Sequence, residues 1–385
     1  MAVSERVVTE KVLHLMSSYG GGISSFIKNK AEALLNDPVV FDVITFDDTP
    51  KKFDALIEKT GGRVYKISNP KEDGFFQFFR EVNHILSKQP KHVIIHSHIN
   101  GLKALAFYLV AKKNGIKRFV IHAHTAAPLT SSKFKLKSKQ ILNTFLSSEK
   151  LSCGIKASVN IFGNRTVKRK KIVHIPNSIN EEKFLYIAGM DDQRKKLRKE
   201  ILGITDDQVV IGSVARFKKL KNHTFMLDVI EELKNRNFNF IWFFAGDGSC
   251  KQKIEEEVHR RKLDKYVKFL GYRNDIDNLF NIMDIFALPS LYEGLPTVLI
   301  EAQASSTYSL VSNTVTDEAD LDLGLVSYLD IISTKDWVSQ IEEFKKVEVP
   351  TDIIKQKLLE GKFTAKTSAD LYLDFLQNKI DSYYI

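Results

Sequence analysis

The sequence predicts an α/β protein made of two doubly wound parallel sheets in tandem. Short apolar runs of strand length alternate with helical patterns through the first half of the chain, and such alternation is typical of parallel βαβ units. A turn-rich, charged stretch at 175–203 interrupts this series, and a second alternating series follows it. A chain of 385 residues is also long for a single core.

The elements of the first half follow from apolar periodicity. Val12-Leu-His-Leu-Met16 is predicted as a buried strand, followed by Gly20-Gly-Gly22 and a helix at 23–35. Further strands are predicted at 41–46, 63–67, 93–96 and 119–122, with a helix at 102–113.

In the second half, Pro176-Asn-Ser-Ile-Asn180 predicts a turn, and the charge run at 191–200 predicts an exposed helix. Strands are predicted at 209–214, 238–245, 267–270, 285–288 and 309–312, with helices at 222–234 and 252–262. Three helical stretches are expected after Ser333, the last at 365–380. The predicted domains are therefore 1–180 and 181–364, followed by a terminal segment at 365–385.

Composition excludes several classes of protein. No apolar run approaches the roughly 18–20 residues that a membrane span needs, and the first residues lack the apolar core of a secretion signal. We therefore expect a cytoplasmic protein. Cys153 and Cys250 provide neither a disulfide framework nor zinc-ligand spacing.

The net charge of +10 is unevenly distributed. Between Lys133 and Lys171 the chain has eleven Lys or Arg residues and a single acid, Glu149. This basic patch predicts peripheral binding to an anionic membrane surface, and a merely solvated basic face is the alternative. Nucleic acid is not expected, because no recognised binding module accompanies the charge.

The most informative segment is Leu291-Tyr-Glu-Gly-Leu-Pro-Thr-Val-Leu-Ile-Glu301. It places Glu293 in a turn after a predicted buried strand and Glu301 on the helix predicted at 297–304. Pro296 suits a first helical position. Gly294, Leu295, Pro296 and Thr297 would form a helix start whose free N–H groups suit a phosphate. The two carboxylates could then bind the hydroxyls of a sugar and a ribose, although solvated helix ends are the alternative.

Other candidates lie where predicted strands end. Arg216 and Lys221 could converge on a diphosphate, although a solvated basic loop competes with this interpretation. Gly246-Asp-Gly248 could pass near a nucleotide or serve only as a turn, and the stretch ending in Gly271-Tyr272 could contact a base edge. Gly21 and Gly22 open the first helix, where backbone N–H groups could approach a ligand or a tight turn alone could require them.

Histidines occur in two pairs, His96 with His98 and His122 with His124. Four histidines suggest zinc, but the pairs lack a cysteine or nearby carboxylate in sequence. We therefore predict no metal site, and expect histidines at the strand ends to face a ligand.

Together these motifs resemble the family 4 retaining glycosyltransferases, which have the two-domain GT-B fold. Glu293 to Glu301 resembles the family's pattern of Glu, seven residues, Glu, and 176–180 with Phe184 resembles its interdomain motif. Three further family motifs have counterparts here, in Arg216 with Lys221, in Gly246-Asp-Gly248 and in Phe269-Leu-Gly-Tyr272. One departure is that Ala302-Gln-Ala-Ser-Ser306 lacks the glycine with which the family ends this helix, which puts the helix end in doubt.

The resemblance implies a role for each residue. Glu293 would contact the donor sugar, Glu301 the ribose, and Arg216 with Lys221 the diphosphate, with the Gly22 backbone opposite. His124 would lie near the transferred sugar. The family implies no metal ion and no cofactor, a cleft between the two domains, and a last helix that crosses back to the first domain.

The predicted function is transfer of a sugar, with retention, from a nucleoside diphosphate-sugar to a glycan or lipid-linked acceptor. UDP is the expected nucleotide, and bacterial capsule and exopolysaccharide enzymes are the expected relatives. The alternatives are a non-catalytic GT-B subunit that supports a partner enzyme, and a GT-B epimerase or phosphorylase. A phosphorylase would need a pyridoxal lysine motif, which the sequence does not show.

Overall fold

The structure is a computed structural model that describes residues 10–125, 132–185, 191–204 and 208–380. The chain divides into two compact domains. The first domain comprises Met1–Ser178 and Lys362–Ile385, and the second comprises Ile179–Gly361.

The first domain is built on a parallel sheet whose described strands lie in the order β3-β2-β1-β4-β5-β6-β7. The strands are β1 Glu10–Leu15, β2 Val39–Thr45, β3 Val64–Lys66, β4 Ile94–Ser97, β5 Phe119–Ala123, β6 Glu149–Ser152 and β7 Val173–His174. The helices between them are α1 Gly22–Ala33, α2 Lys51–Lys59, α3 Phe75–Ser87, α4 Leu102–Lys113, α5 Lys133–Leu146, α6 Ile155–Phe162 and α7 Asn164–Lys168. The central strands are buried on both faces, which is why they read as apolar runs.

The second domain repeats this architecture with the strand order β10-β9-β8-β11-β12-β13. Its strands are β8 Val209–Val214, β9 Phe240–Ala245, β10 Val267–Gly271, β11 Ile285–Leu288, β12 Tyr308–Ser312 and β13 Val326–Leu329. Its helices are α8 Glu181–Phe184, α9 Asp191–Leu202, α10 His223–Asn235, α11 Lys251–Arg260, α12 Ile276–Ile282, α13 Thr297–Ala304, α14 Lys335–Glu342 and α15 Thr351–Glu360. Trp242 and Trp337 are fully buried in its core.

The last helix, α16 at Ala365–Leu376, belongs to the first domain, where it packs against α1. Its Tyr372 is fully buried in the same core as Phe26 and Phe41. Ser368 donates to the Pro176 carbonyl at 2.8 Å. The helix is therefore fastened both to the core and to the last segment before the second domain begins.

The prediction of two doubly wound parallel sheets is confirmed. The sequence missed β6, β7 and β13, because these strands lack a continuous apolar run. In β6 only Leu151 is strongly apolar, β7 has two residues, and β13 is half-buried throughout. A strand near the edge of a sheet is shielded less, so its sequence carries a weaker signal.

The charge run at 191–200 forms the predicted helix, but the prediction that this helix is exposed is wrong for one face of α9. Arg194 and Arg198 both form ion pairs with Asp284, at 2.6 and 2.7 Å, and Arg198 is buried. The same carboxylate accepts a hydrogen bond from the Val210 backbone at 2.8 Å. Two arginines thus hold α9 against the start of β11.

Among the described residues, no helix is both long and apolar enough to cross a bilayer.

Candidate active site

In the second domain the candidate residues lie at the carboxyl edge of the sheet, where open α/β sheets bind ligands. The chain order reverses between β8 and β11, and the loops after these strands carry Lys221 and Glu293. The Leu291 N–H donates to the Leu220 carbonyl at 2.8 Å, which fixes one loop against the other. The strand order thus brings together side chains 72 positions apart.

Lys221 and Glu293 form a direct ion pair. Lys221 Nζ lies 2.5 Å from Glu293 Oε1, and the side chains are only 17% and 14% exposed. Lys221 ends a 3-10 turn at 219–221, and Asn222 follows it in the left-handed region, with φ of 56°. Sequence reasoning gave the two residues separate ligands, whereas the structure shows that the cation also positions the carboxylate.

The glycine turn at 246–248 supports the loop that carries Arg216. Gly246 and Gly248 have φ of +146° and +151°, and a Cβ on Gly246 would lie 2.0 Å from the Ala215 carbonyl oxygen. The Phe217 N–H donates to the Asp247 carbonyl at 2.9 Å. Both the backbone conformation and the close approach therefore require glycine here.

Arg216 itself is exposed beside the buried ring of Phe217, which stacks on His223 with ring centroids 4.3 Å apart. No residue in the described ranges pairs with its guanidinium group. Arg216 is also the main cause of a lowered pKa at Lys218. An unneutralised positive charge therefore follows β8, as a diphosphate site requires.

The helix α13 begins and ends where the sequence predicts, at Thr297 and Ala304. The prediction for Pro296 is off by one position: Pro296 is the N-cap, since its backbone is extended. Ser306, two residues after the helix, adopts φ of 53°, the left-handed conformation that a terminal glycine usually provides. The missing glycine therefore does not move the helix end.

Glu301 lies on α13 without a partner for its carboxylate among the described residues. Burial of this carboxyl group raises its pKa to about 7, although the residue as a whole keeps some accessible surface. A desolvated and unpaired carboxylate is costly unless a ligand uses it. Gly294 and Leu295 are buried at the start of the same segment, and Tyr272 is exposed after Gly271.

In the first domain, Gly21 and Gly22 form the exposed start of α1. Gly21 is the N-cap with φ of 142°. Gly22 has no such backbone constraint, and a Cβ there would meet no atom within 4 Å. The fold therefore requires glycine at position 21 but not at position 22, and the close approach of a ligand to Gly22 stays a prediction.

The two histidine pairs form one cluster with a fifth histidine that the sequence did not indicate, and every member except the half-buried His124 is buried. This histidine cluster consists of His14, His96, His98, His122 and His124. His14 stands directly opposite His96 in the pairing of β1 with β4. The sequence marks His14 only as a polar residue in an apolar strand, and the pairing of the strands is needed to identify its neighbours.

Hydrogen bonds connect the cluster in two chains. In one, His98 bonds His14 at 3.0 Å and His124 at 2.7 Å. In the other, His96 bonds the Tyr372 hydroxyl at 2.6 Å and His122 at 3.1 Å. The expectation of ligand-facing histidines is therefore wrong for His96 and His122, which lie in the core.

Burial holds the cluster neutral. Desolvation, followed by repulsion from neighbouring imidazoles, lowers the pKa of His96, His98 and His122 well below the usual value. Desolvation likewise lowers the pKa of His14 and of His124 to about 3. Each ring therefore has one donor and one acceptor nitrogen for these chains.

Two overlapping sets in this cluster have ligand atoms close enough for a metal ion. The nitrogens of His14, His96 and His98 lie within 4.8 Å of one another, and so do those of His98, His122 and His124. An ion would have to replace the hydrogen bonds between these rings, and neither set includes a carboxylate to offset its charge. The absence of a metal site stays a prediction.

The two tandem Rossmann-like parallel sheets have the architecture of the GT-B fold. Similar structures include Anabaena HepE in complex with UDP and glucose, with a TM-score of 0.74 at 19% identity, covering 96% of this chain and 100% of that one. HepE in complex with UDP-glucose has a TM-score of 0.75 at 19% identity, covering 96% and 99%. At this identity the likeness concerns the fold.

Residues 176–319 match the model of the family described as glycosyl transferases group 1. The chain is 32% identical to EpsF of Bacillus subtilis, named as a glycosyltransferase, over 84% of each chain. It is 24% identical to the capsular polysaccharide biosynthesis glycosyltransferase CapH of Staphylococcus aureus, over 79% of this chain and 81% of that one. An Escherichia coli α-1,3-galactosyltransferase that uses UDP-Gal and GlcNAc-diphosphoundecaprenol is 25% identical, over 76% and 78%. The protein belongs to the group 1 glycosyltransferases, the family 4 type that the sequence predicted.

Proposed function

We propose that this glycosyltransferase moves a sugar, with retention of configuration, from a UDP-sugar to a glycan or lipid-linked acceptor in cell-surface polysaccharide synthesis. The observation that carries the proposal is the Lys221–Glu293 contact at the point where the strand order of the second domain reverses. A cation and an acid held together there suit a substrate that has a diphosphate next to a sugar.

The basic residues would assist departure of the nucleotide. As the bond from the sugar to the diphosphate breaks, negative charge grows on the departing phosphate oxygen. Arg216 has no competing partner among the described residues, and Lys221 would share its charge between that phosphate and Glu293. The amino terminus of α13 adds a partial positive charge. Such fixed charges stabilise the leaving group, which is why the proposed reaction needs neither metal nor cofactor.

Glu293 would accept hydrogen bonds from hydroxyls of the donor sugar, held in position by Lys221. The unpaired Glu301 would accept bonds from the ribose, and Tyr272 would lie along the base. Gly21 and Gly22 would approach the diphosphate, and His124 the transferred sugar. Because His124 is neutral, it can donate a hydrogen bond without placing a positive charge beside an oxocarbenium-like centre.

The choice of UDP and of the acceptor is supported by the relatives. The Escherichia coli relative uses a UDP-sugar and an undecaprenyl diphosphate-linked acceptor, and HepE has been crystallised with UDP-glucose. A lipid-linked acceptor would require the protein to work at the inner face of the cell membrane. The basic patch between Lys133 and Lys171 supports such a peripheral location.

The test is donor binding and turnover. A panel of UDP- and GDP-sugars is screened by thermal shift, and release of the nucleotide is then followed with the best donor. Arg216→Ala and Lys221→Ala should each abolish turnover while the melting temperature stays within a few degrees. Lys219→Ala, an exposed lysine of the same loop, is the matched control.

Full turnover in either active-site variant would refute the assignment. A wild-type chain that binds no sugar nucleotide would instead favour the alternative of a non-catalytic subunit.

A further inference from the structure

The exposed apolar side chains of this protein are concentrated on one layer of helices. Of fourteen exposed large hydrophobic side chains in the described part of the chain, nine lie between residues 75 and 155, about a fifth of its length. They belong to α3, α4, α5 and α6, and each of these helices packs against the next. A contiguous layer with so many exposed apolar groups indicates an interaction surface.

The helix α5 provides the clearest part of this surface. Phe134, Ile141 and Phe145 are 80%, 63% and 73% exposed. Their spacings of seven and four place them on one face of the helix, while Asn143 and Leu146 anchor the opposite face in the domain. Nothing in the described parts of the chain covers this apolar stripe.

Positive charge accompanies the stripe. Lys133, Lys135 and Lys137 are exposed on the first half of α5, and the helix contains no acidic residue. An apolar stripe with flanking lysines is the pattern of helices that lie in the headgroup region of an anionic bilayer. A nucleic acid would match the lysines but would leave the three apolar side chains in water.

We propose that α5 is an interfacial helix that inserts Phe134, Ile141 and Phe145 into an anionic membrane while its lysines contact lipid phosphates. The basic patch described above then acts mainly through this helix. The inference rests on the proposed function in one respect: a lipid-linked acceptor must be met at a membrane surface.

Flotation with lipid vesicles tests the proposal. The wild-type chain should float with phosphatidylcholine vesicles that contain phosphatidylglycerol, and should float less at high salt or with pure phosphatidylcholine. The triple variant Phe134→Ser, Ile141→Ser, Phe145→Ser should bind about tenfold or more weakly. The matched control is Ile332→Ser, Ile353→Ser, Leu359→Ser, because these side chains are also exposed but lie in the second domain.

Insertion can be observed directly with Phe145→Trp. Both native tryptophans are fully buried, so a change in emission on adding anionic vesicles reports position 145. A blue shift, with quenching by brominated lipid, is expected. The proposal is overturned if the wild-type chain does not float at low salt, if both triple variants bind equally, or if emission does not change.

A separate readout distinguishes this inference from the proposed function. The thermal shift produced by UDP in the absence of vesicles should be the same for the wild-type chain and the α5 variant. Loss of vesicle binding with an intact UDP response locates the defect on α5. Vesicle binding without any UDP response would contradict the proposed function but would still support membrane binding through α5.

Discussion

Replacing Glu301 with glutamine should stabilise the folded protein at high pH and weaken its binding of a sugar nucleotide. Burial raises the pKa of this carboxyl group from 4.5 to about 7. Between these values the unfolded chain loses a proton that the folded chain keeps. The Glu301 carboxyl group therefore makes folding less favourable as pH rises, and the full cost is reached above about pH 7.

The size of the effect follows from the shift. A pKa difference of about 2.5 units corresponds to about 3 kcal/mol, at about 1.4 kcal/mol per unit. The stability gained by Glu301→Gln should therefore be about 1 kcal/mol near pH 5 and about 3 kcal/mol near pH 8. Remaining solvent access to the carboxyl group would reduce both values.

The assay is urea unfolding of both proteins at these two pH values, combined with a UDP titration. Comparison at the same pH removes the contribution of every other titrating group. Glu343→Gln, at an exposed position, is the control, for which no pH-dependent difference is expected. A gain for Glu301→Gln that is equal at both pH values would refute the argument, because it would show that the carboxyl group is not desolvated. Unchanged affinity for UDP would separately refute the ribose role.

Three further predictions concern the ion pair, the glycines and the histidines. Lys221→Met and Glu293→Gln should each lower the free energy of unfolding by about 1–3 kcal/mol, and the double variant should lower it by less than the sum of the two. Additive losses in urea unfolding would contradict the ion pair. Gly246→Ala should lower the free energy of unfolding by at least about 2 kcal/mol, because the new Cβ collides with a carbonyl and φ is strained. Gly22→Ala should leave urea unfolding unchanged and weaken the affinity for the donor. The histidine cluster is neutral when the protein is folded, so only the unfolded chain gains protons on these histidines below about pH 6.5. The free energy of unfolding should therefore fall below that pH by up to about 1.4 kcal/mol per pH unit for each histidine. If the unfolding midpoint does not change with pH in this range, the cluster is solvated.

The main elements of the fold could be predicted because buried parallel strands and amphipathic helices leave strong periodic patterns. The predicted ranges of β8, β11 and α13 match the structure residue for residue. The strands β6, β7 and β13 could not be found this way, since pairing with a neighbouring strand holds them in place more than their own apolar content does.

The candidate site divides in the same manner. The sequence singled out Arg216, Lys221, Glu293 and Glu301 because they follow predicted buried strands or lie on the next helix, and because their spacing resembles the motifs of the family. It could not show that Lys221 contacts Glu293, that the glycine turn supports the Arg216 loop, or that Glu301 has no partner in the described part of the chain. These are relations between segments far apart in the chain.

The sequence by itself determined the two sheets, the chemical types available at their carboxyl edges and the family, because each of these depends on residues close together along the chain. The tertiary structure decided which charges neutralise one another, which carboxylate is desolvated, and that five histidines lie together in one cluster. Contact energies and pKa values depend on distances of a few ångströms, and strand order rather than position in the sequence sets those distances.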